Sequence, residues 1–85
     1  MMGEYQTKQG VLVEIFQGQV RIAMGGLVVA DKVENIHAIA INTPDGKGSF
    51  YLAVDDSNAL LFVEDLVELE AVAQVLGLEV EKGEG

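Results

Sequence analysis

The chain has 85 residues, 49% of them hydrophobic, with 14 acids, five Lys or Arg, no cysteine and a net charge of −9. That length bounds the protein to one domain, 1–85. The missing cysteine excludes disulfides and thiolate metal sites. The few scattered bases exclude direct nucleic-acid binding, which needs clustered Lys and Arg against phosphate. Mean hydropathy is +0.28, a high value for so small a body, and it predicts apolar surface left outside and covered by another copy in a homo-oligomer.

Residues 1–9 are polar without a period and read as a flexible arm or an edge strand. From Val11 to Phe16 β-branched residues alternate with others, the signature of a strand. Gln17-Gly18 supplies a turn, and Val20, Ile22 and Met24 then mark one apolar strand face. Gly25-Gly26 is a hairpin signal, with Leu27 to Ala30 returning as a buried strand. Asp31 to Asn35 turns the chain. In Ile36 to Ile41, the residues His37, Ile39 and Ile41 share one face, and Ile36, Ala38 and Ala40 the other. Thr43-Pro44-Asp45-Gly46 is a turn in which Pro presets φ and Asp-Gly accepts positive φ. Phe50, Leu52 and Val54 alternate beyond it.

Ala59 to Val63 reads as a strand pairing back on Phe50 to Val54. A helix is the alternative for that segment. Asp65 and Glu68 have the spacing of a capping box, and the helix they open runs to Leu76. Gly77 stands where a left-handed cap belongs, with Leu78 folding back. Leu78 and Val80 mark a short final strand, and 82–85 reads as a polar tail. The order predicts an α+β fold, an antiparallel meander of five or six strands with one C-terminal helix packed on it. A small barrel closed by the helix is the alternative.

Charge is concentrated at the end. Residues 55–85 hold nine acids and one base, a charge of −8, against −1 for residues 1–54. Glu64, Asp65 and Glu68 fall at the helix N-terminus, where the helix dipole favours negative charge. On the helix, Leu66, Leu69, Val72, Ala73 and Leu76 form a stripe that faces the sheet. Val67, Ala71 and Val75 form a second row at i, i+4 and i+8, with Glu68, Glu70 and Gln74 at its rim. Such a row of small side chains predicts close approach of a partner.

No catalytic set emerges. His37 is the single histidine, and Ser49, Ser57, Thr7 and Thr43 lie in no nucleophile pattern. Asp55, Asp56 and Asn58 offer oxygen ligands without the spacing of a calcium loop. No metal and no cofactor are expected, and the protein is read as not an enzyme. The absence of a signal peptide or an apolar run of about 18 residues predicts a cytoplasmic chain with no membrane contact.

The leading expectation is a non-catalytic, self-associating module that binds another macromolecule. One form of it is an acidic inhibitor whose charged face occupies a basic, nucleic-acid-binding groove. The alternative is a small-ligand binding or sequestering protein. Its site would lie between subunits, with Arg21, Lys32 or Lys47 facing a nucleotide-like anion and Phe50 or Tyr51 stacking on it.

Overall fold

The computed structural model describes residues 2–55 and 58–84. Strands β1 (Met2–Gln6), β2 (Leu12–Phe16), β3 (Gln19–Met24) and β4 (Leu27–Lys32) come first, followed by a 3-10 turn at Val33–Asn35. Strands β5 (Ile36–Asn42), β6 (Ser49–Val54) and β7 (Asn58–Val63), helix α1 (Leu66–Leu76) and strand β8 (Val80–Glu84) complete the fold. The first sheet is an antiparallel meander in the order β1-β2-β3-β4. The second has the order β7-β6-β5-β8 and mixes directions, because β8 runs parallel to β5.

The α+β class and the C-terminal helix stand as the residue pattern predicts. The strand count does not: among the described residues eight strands form two sheets, where five or six in one meander were expected. No closed barrel forms among the described residues. Both additional strands lie at the chain ends. The arm 1–9 supplies β1, whose Tyr5 and Gly3 lie opposite Val13 and Ile15. The tail supplies β8, in which Val80 to Glu84 align with Ala38 to Asn42. Lys82 to Glu84 therefore belong to a strand.

The inner faces of the two sheets and one side of α1 share a single core. Val13, Val20 and Ile22 come from the first sheet; Ile36, Ala38, Leu52, Leu61 and Val63 from the second; Leu69, Val72, Ala73 and Leu76 from the helix. The small side chains of Ala38 and Ala40 face inward, so bulky neighbours fill the space they leave. Each large core side chain contributes about 1.5–3 kcal/mol through burial.

The helix boundaries follow from local chemistry. Asp65 is the N-cap, and its carboxylate accepts the Glu68 N–H at 2.9 Å. At the other end Gly77 adopts φ 73°, and the Leu78 N–H reaches the Ala73 carbonyl at 2.8 Å. This closes the last turn in a Schellman-type pattern. No helix of the described residues is long and apolar enough to cross a membrane.

Candidate functional site

Strand alternation sends residues of the second sheet to two sides. Ile36, Ala38, Leu52, Leu61 and Val63 enter the core. His37, Ile39, Ile41, Tyr51, Ala53 and Phe62 therefore line the other side. Register orders them into a row across all four strands: Glu81 pairs with Ile39, Ile39 with Tyr51, and Tyr51 with Phe62. The Tyr51 and Phe62 rings are tilted by 43° with centroids 5.2 Å apart. That is a favourable inclined aromatic contact. Phe62 remains 58% exposed at the free edge of the sheet.

The row floors an open depression of about 330 Å³, which Ile41 and Ser49 bound at one end and Ala53 and Ala59 at the other. Across β5, β6 and β7 this floor carries no charge. Acids stand around it: Glu81 on β8, Asp55 beyond β6 and Glu64 beyond β7. Apolar side chains also reach solvent on the first sheet, where Met2 pairs with Phe16 and Val28 is exposed. There they are interleaved with Glu4, Glu14, Arg21 and Lys32. The outer face of the second sheet is uncharged across three neighbouring strands, and it is the candidate site.

His37 borders it. Its Nδ1 lies 2.8 Å from Glu81 Oε2. Sequence offered no partner for this histidine, because the carboxylate is 44 residues away and arrives only through the parallel β5–β8 pairing. A histidine–carboxylate pair can orient a ring for proton transfer, but a reacting group must stand within hydrogen-bond reach. Ser49 lies opposite Ile41, four residues along β5 from His37. That is about 13 Å at the rise of a strand, so these two do not form a nucleophile–base pair.

The residues singled out from sequence are dispersed. Arg21 and Lys32 share the outer face of the first sheet, Arg21 opposite Ala30 and Lys32 opposite Gln19. Lys47 is in the β5–β6 turn, where its N–H donates to Asp45 at 3.0 Å. The Thr43 hydroxyl and this N–H hold the Asp45 carboxyl below its usual range. Phe50 packs against the core, whereas Tyr51 lies on the opposite face. The proposed anion-binding set thus does not converge within one chain.

The helix row is also divided. Val67 is 75% exposed, but Ala71 is half-buried, and Val75 lies over Gly3 of β1. Glu70 and Gln74 are exposed beside it. Glu68 is not at any rim: it is 2% exposed. Its carboxylate accepts the Lys8 N–H at 2.8 Å and the Glu64 N–H at 3.3 Å, with the Tyr5 hydroxyl at 3.4 Å. A capping-box glutamate folds back over its own N-terminus, and here the β1–β2 turn covers it. Burial first, and the Glu68 carboxylate second, push the Tyr5 hydroxyl above its ordinary pKa.

Asp56 and Ser57, in the loop considered for a cation, lie outside the described residues. Among those described, no three His, Cys, Asp or Glu side chains gather into a metal site. Phe62 was the functional candidate that sequence reasoning passed over. Its signal was the uncharged run Asn58 to Val63, next to a strand whose opposite faces are both apolar. Comparison with protein-family models, with curated proteins and with solved structures found no match.

Proposed function

We propose that this protein is a non-catalytic interaction module that binds another protein through the outer face of its second sheet. The Tyr51–Phe62 pair on this uncharged floor, Tyr51 half-buried and Phe62 exposed at the sheet edge, carries this reading. A surface of that kind, rimmed by polar groups, is a recurrent mark of protein contact. The acids around it, and the net charge of −9, select a partner with a basic rim and an apolar centre. An acidic inhibitor seated in a basic groove is one form of this function. Self-association belongs to the same proposal where a second copy covers exposed apolar surface.

The test uses the full chain as bait in extract of its native host, beside Phe62→Glu. A basic protein retained by wild type, released as salt is raised and absent from Phe62→Glu is the expected result. A partner set unchanged by Phe62→Glu would remove the face from the function.

A further inference from the structure

We infer that β7 is a docking edge, and that the partner segment it fits is an extended strand with alternating apolar residues and a Lys or Arg at each end. This rests on the reading of the outer sheet face as a binding surface, and it specifies how that surface is engaged. The two edges of the second sheet differ in kind. Edge strand β8 reads Val-Glu-Lys-Gly-Glu, three charges in five residues. Charged side chains on an edge are a device that discourages strand pairing. Edge strand β7 reads Asn-Ala-Leu-Leu-Phe-Val, without a charge or a proline.

Alternate backbone N–H and C=O groups of an edge strand point away from the sheet. On β7 these groups lie beside Phe62, so a strand added there places every second side chain next to the Tyr51–Phe62 row. Backbone pairing supplies affinity and the alternate side chains supply selectivity, as in other strand-addition complexes. The shift in register between Leu52 and Ala53 bends the Asn58 end of the strand, which leaves Leu61 to Val63 as the regular part.

Charge chooses the partner. An acid stands at each end of the β6–β7 hairpin: Asp55 follows β6, its N–H bonded to the Asn35 carbonyl at 2.8 Å, and Glu64 follows β7, both exposed. Six residues of strand span about 20 Å. A segment with a base at each end of a run of this length meets an acid at each end. A second copy of β7 brings Asp55 and Glu64 against the same acids in either orientation, and is disfavoured.

The experiment titrates the ¹⁵N-labelled full chain with the blocked peptide Lys-Val-Thr-Val-Thr-Val-Lys. Two N-methylated versions, one for each alternate set of residues, and a version with Glu in place of both Lys serve as comparisons. The expected result is movement of the Asn58–Val63 amide signals. Affinity should fall about tenfold or more on N-methylation of one set only, because only one edge of the peptide donates to β7. The Glu version should bind more weakly, with the difference shrinking as salt rises.

Equal binding by both N-methylated peptides would overturn strand addition while leaving side-chain docking on the face intact. Signals of β7 that move with protein concentration alone would assign the edge to a second copy, against this inference. No binding by the Lys peptide would also overturn it. The face itself is judged separately by the Phe62→Glu bait.

Discussion

The carboxylate of Glu68 accepts the backbone N–H of Lys8 at 2.8 Å across 60 residues of sequence, and so ties the first hairpin to the last helix. The same side chain accepts the Glu64 N–H, and Lys8 returns an ion pair from its Nζ to Asp65 at 3.2 Å. One buried acid thereby satisfies donors from two parts of the chain. Its removal leaves those part-buried donors without their carboxylate partner. Glu68→Ala is expected to cost about 2–4 kcal/mol. Glu68→Gln keeps one acceptor oxygen and should cost less. Urea unfolding followed by circular dichroism measures both. A loss below about 0.5 kcal/mol for Glu68→Ala would show that the tie contributes little.

The same region sets a response to pH. The Glu68 N–H and then the Lys8 ammonium hold the Asp65 carboxyl below its ordinary value of 3.8. Asn35 and the Lys32 N–H do the same for Asp31. Depressed carboxyls contribute stability that is present above their unfolded pKa and lost as pH falls through the folded one. The chain should therefore lose stability below about pH 4, and Asp65→Asn should flatten that loss. In alkali the sign reverses. Hydrogen bonding and charge from Asp65 raise Lys8, and Tyr5 is raised by burial and Glu68. Their contributions are full below their unfolded values and disappear above about pH 10–11. Thermal unfolding across pH 2–12 gives the profile.

What was legible in the sequence is what local chemistry decides. Asp65, Glu68 and Gly77 act within a few residues of themselves, so the helix and its caps could be placed. The hairpin at Pro44-Asp45-Gly46 was equally local, and the Gly46 N–H does reach the Thr43 carbonyl. The strands at the two ends were only partly legible: 1–9 stayed open between an arm and an edge strand, and the final strand was placed at Leu78 and Val80 rather than Val80–Glu84. In β1 only Gly3 and Tyr5 face inward, too little for a hydrophobic period. In β8 no apolar residue follows Val80, and the parallel partner β5 is about 40 positions upstream.

The site was half legible. His37, Ile39 and Ile41 could be assigned to one face, but both faces of β5 are apolar, and sequence alone did not decide which one meets solvent. The core decides: Ala38 and Ala40 admit the bulk of Leu52, Leu69 and Leu76 where Ile39 and Ile41 would not.

The division of the helix row separates two substitutions that sequence treats alike. Val75 stands so close to Gly3 that a Cβ there would lie 3.1 Å from its Cγ1. Val75→Glu forces a carboxylate into that contact and should cost about 1–3 kcal/mol. Val67 is open to solvent, and a β-branched residue there is a mediocre helix former. Val67→Glu should leave stability within about 0.5 kcal/mol of wild type. Light scattering then isolates the helix as a contact. A mass lowered by Val67→Glu with the fold retained assigns self-association to the helix; an unchanged oligomeric mass moves it elsewhere.

The outer sheet face should behave oppositely in folding and in binding. Phe62 lies beside Tyr51 but is largely exposed, so Phe62→Lys forfeits an aromatic contact of about 0.5–1.5 kcal/mol and little buried area. A lysine at that position also guards the edge of β7. The variant should stay folded with a urea midpoint lowered only by the loss of that contact, bind less of a hydrophobic dye and remain soluble at higher concentration. Leu61 is its control, one residue away and turned into the core. Leu61→Ala should cost about 2–5 kcal/mol through the cavity it opens. Equal destabilisation by the two variants would mean that Phe62 belongs to the interior, and the exposed floor would lose its claim to be a binding surface.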